Sequence, residues 1–455
     1  MKRNLPHIKT YYLLYLGFFV YVLFFISVAW TGWFDIFFSG AALHVGAKGV
    51  DFYQLPRGAW AFWHGGSLTG VPLHDGSQYA KKEFSQNNVY HPLFTLTLGS
   101  FLALFDPGWS PYVWLWMKFI VSLAVIAYFF WNFREKQYVQ FACFIMFINF
   151  SIYLELAAWQ FHFMLNMFLL LFLIRLVKHK PGRGNVLLLW LDMLVKPVGL
   201  LFIPLLIFKG RWRVAALGLI LFILSTALFL FHDIGKYYVD NILLNFRYSG
   251  TLGPNQIITL SALLHYTTQW PDLAYSTIRY GLIVLVVVLG LFRRIHLSKA
   301  VLLLVVYYLC FYEQVFEYQW STLAYILAVC IVCCPEFQTI LSRCFILLVC
   351  LPSCFFLLNM LHIDVKNLGY LGLIPGTIAW EWMVVSKLIP LFLLLVSILA
   401  GDVKPLYSQL KSFIIAMKKV NDHLGVFAEA PYDEQYLVKR VKEELGVKDE
   451  PDGQS

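Results

Sequence analysis

Residues 11–30 read YYLLYLGFFVYVLFFISVAW: 20 consecutive positions without a charge, the length an α-helix needs to cross a hydrocarbon core. Lys2, Arg3 and Lys9 precede the run and no small-residue cleavage site follows it, so it reads as a retained anchor and not as a removed signal peptide. Similar runs recur along the chain: His91–Phe105, Pro111–Trp131, Tyr138–Trp159, His162–Val177, Val186–Phe208, Val214–Phe231, Thr277–Phe292, Ala300–Tyr312, Ser321–Cys334, Leu341–Met360 and Glu381–Ala400. Their continuity argues for helices, because a transmembrane barrel shows short alternating strands. Of the 455 residues 60% are hydrophobic and 13% charged, with a mean hydropathy of +0.68, more apolar surface than a soluble chain of this length can hide. The expected fold is all-α, a polytopic transmembrane protein of roughly 10–13 membrane segments. The net charge of +9 reflects the cytoplasmic bias of Lys and Arg, not a nucleic-acid footprint. The eight cysteines lie in or at the ends of apolar runs and read as small core residues, without a zinc or disulfide framework.

Two polar stretches interrupt the pattern. Residues 31–90 form a first outer loop, in which Ile36–Ala47 is expected as an interfacial helix and Gly58–Gly66 carries the anchors Trp60 and Trp63. Residues 232–276 form a second. Residues 1–400 make one transmembrane domain, and 401–455 a charged cytoplasmic tail with an amphipathic helix over Tyr407–Val420. With the N-terminus inside, the clusters Arg134/Lys136, Arg175/Lys178/Lys180/Arg183, Lys209/Arg211/Arg213, Arg293/Arg294/Lys299, Arg343 and the tail share the cytoplasmic side. That arrangement makes His91–Phe105 a half-membrane segment. It also makes Val186–Phe208 a shallow hairpin turning at Lys196-Pro197, where proline breaks the helix. Residues 31–90, Trp159–His162, the Lys196 turn, 232–276, Glu313–Trp320 and 361–380 then face outward together. No internal repeat of the transporter kind is visible.

Several of these outward residues carry chemistry. Asp35, just past the first span, is placed to act as a catalytic base, against the plainer reading of a solvated carboxylate or helix N-cap. Asp51 is a turn residue or a second acid. Tyr90 and His91 open the short segment, with Pro92 starting its helix, as interfacial anchors or as substrate contacts. Lys196 sits at membrane depth and needs an anionic partner, either Asp192 four residues earlier or a lipid phosphate. Arg247 can clamp a phosphate bidentately or stand solvated. Gln160 and Asn166 are interhelical glue or sugar-hydroxyl ligands. Glu313, Glu317, Gln319 and Trp320 cap a helix as a polar cavity lining or as groups that hold a sugar ring. Glu155, Lys118 and Lys387 lie inside apolar runs with no role beyond pairing or snorkelling.

Asp35 with Ser39-Gly40-Ala41-Ala42, Gly46 and Asp51-Phe52-Tyr53 resembles the opening signature of the polyprenol-phosphate-mannose-dependent mannosyltransferases and related hexosyltransferases of the GT-C superfamily. Tyr90-His91-Pro92-Leu93-Phe94 is similar to their Tyr-Pro-Pro-Leu-Phe element, and Gln160 through Asn166 to their Gly-Gln-x-Asn element, with Trp159 in place of the glycine. Leu194-Val195-Lys196-Pro197 with the basic return Lys209–Arg213 resembles their Lys-Pro turn. Asn255-Gln256-Ile257 with Ser261 resembles their Asn-Gln-Ser stretch, and Phe316–Trp320 stands where they carry a Trp/His-rich element whose histidines are missing here. The ordered set spans roughly residues 11–400. The resemblance implies a GT-C fold with an outward-facing active site; with the charge count, the expected setting is the plasma membrane, both termini cytoplasmic and the active site on the extracytoplasmic side. It implies inverting transfer of a hexose, mannose foremost, from a polyprenyl-phosphate donor to a lipid or glycan hydroxyl. Asp35 would be the base and Lys196 part of the cavity, without a metal or other cofactor. A lipid-linked-sugar flippase or other transporter is the rival, one that the missing repeat and the two long outer loops count against.

Overall fold

Ser110–Phe133 is the longest helix among the described residues. Its 24 residues span about 36 Å at 1.5 Å per residue, so contacts at its two ends mark two opposite ends of the helical assembly. The computed structural model describes residues 11–34, 52–66, 88, 90–180, 182–231, 233–244, 259–268, 277–278, 280–284, 295–312, 315, 317–353 and 378–399. The chain divides into two units, Met1–Leu399 and Ala400–Ser455, and the second lies outside the described residues, as does the helix expected over Ile36–Ala47.

Every regular element among the described residues is helical. In order they are α1 (Tyr12–Ile26), α2 (Gln54–Trp63), α3 (Pro92–Phe94), α4 (Ser100–Ala103), α5 (Ser110–Phe133), α6 (Val139–Ile148), α7 (Phe150–Ala157), α8 (His162–Val177), α9 (Gly182–Val195), α10 (Phe202–Phe208), α11 (Trp212–Ala227), α12 (Asp233–Tyr238), α13 (Leu260–Thr268), α14 (Leu297–Phe311), α15 (Ser321–Cys333), α16 (Ile340–Cys350) and α17 (Ile378–Leu399). Among the described residues two helices are long and apolar enough to cross a membrane, Tyr12–Thr31 and Ser110–Phe133; the pair α6–α7, bent by 43°, makes a third if it is one span. Pro92–Ala103, Trp212–Ala227 and Ile340–Cys350 are apolar but shorter than the runs read there from hydropathy.

The breaks have local causes. Asn149 leaves the helical region at ψ 119 and its side chain accepts from Ser151 N at 2.8 Å, so it caps α7 and bends the pair. Lys196 is extended (φ −149, ψ 140), as a residue before proline tends to be, and Pro197–Leu201 follows as a 3-10 turn. That turn folds back on α9: a Cβ on Gly199 would lie 2.7 Å from both Asp192 Oδ2 and Met193 Cγ, so only glycine permits the approach. Residues 95–99 and 27–31 are π-turns; the second closes on Gly32 and delivers Phe34 onto Phe24, Phe150 and Tyr153. In the packing, α1 lies on α6, α8 on α9, α9 on α11, α15 on α6 and α8, and α16 on α17.

At the N-terminal end of α5, Tyr53 donates to Pro107 O at 3.0 Å, Trp63 Nε1 donates to Ser100 Oγ at 2.8 Å, and Trp114 Nε1 donates to Trp159 O at 3.0 Å. At its C-terminal end the Lys178 ammonium lies 4.8 Å from the Phe133 ring. Arg211 bonds His179 Nδ1 at 2.9 Å, and Lys209 donates to Ile295 O at 2.8 Å. Cationic loops therefore gather at one end, and the first-loop helix α2 and the Trp159–Gln160 turn at the other.

Candidate functional site

The turn between α7 and α8 builds the centre. Trp159 takes a left-handed backbone, φ +52, at the position where the resemblance has glycine. Gln160 N then donates back to Glu155 O at 3.2 Å, which ends α7 and starts α8 from the same point. Phe161 beside it stacks on Phe52 at 5.8 Å, and meets Tyr90 at 5.4 Å and Trp114 at 4.9 Å. This aromatic layer fastens the start of α2 to the turn.

Beneath the layer is a polar network across α5, α7, α8 and α15. Thr322 donates to Asn166 Oδ1 at 2.7 Å, so its oxygen accepts from His162 Nε2 at 2.7 Å. Asn166 Nδ2 in turn donates to Glu155 Oε2 at 3.0 Å and to Ser321 Oγ at 2.8 Å, and Ser321 donates to the same carboxylate oxygen at 2.7 Å. Every bond in the chain points its hydrogen toward Glu155. Lys118, buried, donates to the Glu155 carbonyl at 2.7 Å and lies 5.5 Å from the Trp114 ring. Lys196, half-buried at the α9 break, has its ammonium 5.8 Å from the Tyr318 ring, itself 5.9 Å from His162, and interacts electrostatically with Glu155 and His162. The site thus holds two ammonium groups, one carboxylate, an imidazole, an amide and two hydroxyls. All of them but Lys196 are buried, and the hydrogen bonds between them tie α5, α7, α8 and α15 together.

Of the candidate residues from the sequence, the structure brings Asn166, Lys196 and, through its backbone, Gln160 into this centre, and puts Tyr90 on the aromatic layer above it. Gln319 and Trp320 are buried on the turn that precedes Ser321. Glu317 is committed elsewhere: it pairs with Lys387 at 3.2 Å and accepts from Ser353 N at 2.7 Å and Ser353 Oγ at 2.8 Å. Lys387 also donates to the Val349 and Leu351 carbonyls at the end of α16, so this pair ties α17 to α16 and to the 317–320 turn. His91 is fully buried; its Nδ1 accepts from Leu93 N at 3.1 Å, and its Nε2 bonds Thr226 Oγ1 at 3.1 Å. Thr226 gives its own hydrogen to Phe222 O, so the His91 network fixes a neutral imidazole that caps α3 and joins it to α11. Asp192 does not serve as the hydrogen-bonded partner of Lys196, because neither of its carboxylate oxygens has a hydrogen bond. Asp35, Asp51, Arg247 and Glu313 lie outside the described residues.

Glu155 and Lys118 are the members to which the sequence assigned no function. The signal was present, a charge inside an apolar run, but their partners lie as far as 166 positions away along the chain. Among the described residues no group of three His, Cys, Asp or Glu side chains could hold a metal. No family model, curated protein or solved structure matches the chain.

Proposed function

We propose that the protein is an integral-membrane glycosyltransferase that moves a hexose, mannose foremost, from a polyprenyl-phosphate donor to a lipid or glycan hydroxyl with inversion. The ordered set of sequence elements from Asp35 to Trp320 supports this reading. The observation that carries it is the Lys196 ammonium, half-buried at a helix break beside a buried polar centre and over an aromatic ring. The donor's phosphodiester, which becomes a phosphate monoester as it leaves, is an anion that suits such a cation, and sugar hydroxyls suit the amide and ring groups around it.

In the reaction Asp35 takes the proton of the acceptor hydroxyl, whose oxygen forms the new bond to the anomeric carbon. The bond from that carbon to the phosphate oxygen breaks, and its electron pair leaves with the polyprenyl phosphate. Lys196 and Arg247 stabilise the departing charge. The fold is then of GT-C type, with the remaining shorter apolar helices completing the membrane domain, the site outward and the termini cytoplasmic.

The test is transfer by purified protein, offered polyprenyl-phosphate mannose and alternative hexose donors. Asp35→Asn is expected to lower turnover by roughly 10²–10⁴-fold while lipid binding persists. Near-normal turnover by that variant, or a product with the donor's anomeric configuration retained, contradicts the assignment. Movement of the lipid-linked sugar across sealed vesicles without any glycosidic product points to a flippase instead.

A further inference from the structure

The loops that follow α8 and α10 carry cations without acids. Between Glu155 and Asp192, and again between Asp192 and Asp233, the sequence has no carboxylate, and Lys178, Lys180, Arg183, Arg211 and Arg213 fall in those intervals. The fold gathers them. Backbone bonds from Lys178 N to Ile174 O at 3.0 Å and from Lys180 N to Arg175 O at 2.9 Å close the turn after α8. His179 sits on that turn at φ +51, and its Nδ1 accepts from Arg211 Nη2 at 2.9 Å, which ties the turn to the start of α11. The start of α9 lies alongside, since a Cβ on Gly182 would meet Val214 Cγ2 at 3.9 Å. Among the described residues no carboxylate pairs with these cations; Glu336, at the same end, is held by Lys299 at 2.7 Å. Like charges brought together repel, and an anion shared among them relieves the repulsion.

The surface beside the cations selects the anion. Val214, Gly218 and Ser225 of α11 are buried, and α9 packs there: a Cβ on Gly218 would lie 2.9 Å from Leu189 Cδ2, and Trp190 Nε1 donates to Ser225 Oγ at 3.2 Å. Leu217, Ile220, Leu224 and Leu228 are exposed. With the exposed Arg213 they follow one another at steps of three or four residues, so a guanidinium heads one apolar stripe down the helix. The Arg213 guanidinium lies 5.5 Å from the ring of Trp212, and an exposed indole settles at the level of lipid headgroups. A free phosphate or an acidic peptide would engage the cations and leave the stripe bare, whereas a phospholipid covers both. We propose that the ends of α8, α9 and α11 bind an anionic glycerophospholipid, its headgroup phosphate among Lys180, Arg211 and Arg213 and its acyl chains along the stripe on α11. This site lies at the opposite end from the Trp159–Gln160 turn and does not depend on which reaction the protein performs.

The experiment titrates the purified full chain in detergent micelles with palmitoyl-oleoyl phosphatidylglycerol and, separately, with phosphatidylcholine of the same chains. Bound lipid is counted by native mass spectrometry. The parent is expected to bind the anionic lipid about tenfold or more tightly than the zwitterionic one. K180Q/R213Q removes two exposed cations whose side chains make no hydrogen bond, so the fold is left intact. It is expected to bind phosphatidylglycerol about tenfold more weakly, with phosphatidylcholine binding unchanged. R134Q/K136Q takes the same charge from the same end of the molecule, beside Glu135 at the close of α5, and is expected to keep the preference. Equal losses in the two double variants mean that diffuse charge attracts the lipid, and overturn the site. A parent without the preference, or a K180Q/R213Q protein that retains it in full, overturns the site as well. Glycerol 3-phosphate carries the anion without the chains and is not expected to displace the lipid at equal concentration; displacement overturns the assignment to a phospholipid.

Discussion

Trp159 shows how a single residue can carry both a cost and a purpose. An L-residue in the left-handed region costs roughly 1–2 kcal/mol relative to its ordinary conformations. Here the cost is offset by the packing of the indole against Phe52 and Tyr112, both at 6.1 Å between ring centres. W159A and W159G both delete the ring, but only alanine retains a Cβ that clashes at φ +52. W159A is therefore expected to be less stable than W159G by about 1 kcal/mol in thermal or denaturant unfolding. Equal stabilities would mean that the turn relaxes out of the left-handed region and that the backbone there is not constrained. The sequence marked this position, because tryptophan stood where glycine is usual in the resemblance, but it could not reveal which interaction compensates. His91 was legible only in part. Its place before Pro92 pointed to a helix start, whereas Thr226, the partner that makes it a buried structural link, is 135 positions away.

At the level of elements, hydropathy located most helices but not their interruptions. Lys196-Pro197 was readable because proline is a local signal; the bend at Asn149 was hidden in a run where only an asparagine side chain reaching Ser151 announces it. Helix starts carry testable electrostatics as well. His296 caps α14, its Nδ1 accepting from Ser298 N at 3.3 Å. Burial lowers its proton affinity, the Lys209 and Lys299 ammonium groups lower it further, and Glu336, 2.7 Å from Lys299, opposes them. The unfolded chain binds that proton with the ordinary pKa of about 6.5. Below that pH the unfolded state holds more protons than the folded one. The contribution of His296 is thus complete above the ordinary value and declines as pH falls through it. H296N keeps a capping oxygen and has no proton to gain. Its melting temperature is expected to fall less steeply than the parent's between about pH 7.5 and 5. Parallel slopes for the two proteins would remove His296 from the pH response.

For the whole molecule, the strongest regularity is the separation of charge between the two ends of α5. Counting Lys and Arg along the sequence grouped Trp159–His162, the Lys196 turn and Glu313–Trp320 together, and in the fold His162, Lys196 and Tyr318 do lie together. That grouping was legible because charge bias is a one-dimensional signal; the pairing of Glu155 with Ser321 depends on packing and was not. The opposite end holds Arg134, Lys178, His179, Arg211 and Arg343, the last 5.1 Å from the Tyr138 ring. A membrane crossed by α5 must leave these two ends on different sides, since about 36 Å of helix exceeds the thickness of the hydrocarbon core. His64, on α2's side, and Lys180, on the cationic side, are both exposed and allow a direct test. In a background carrying Cys344→Ser, which removes an exposed thiol, each is replaced singly by cysteine and treated with a membrane-impermeant maleimide in sealed right-side-out vesicles. His64→Cys is expected to react at once and Lys180→Cys only after permeabilisation, because cationic loops are retained on the cytoplasmic side. Reaction of both from outside would mean that α5 does not cross. Reaction of Lys180→Cys alone would invert the chain and place Lys196 and Glu155 toward the cytoplasm, where an extracytoplasmic transferase has no donor to meet.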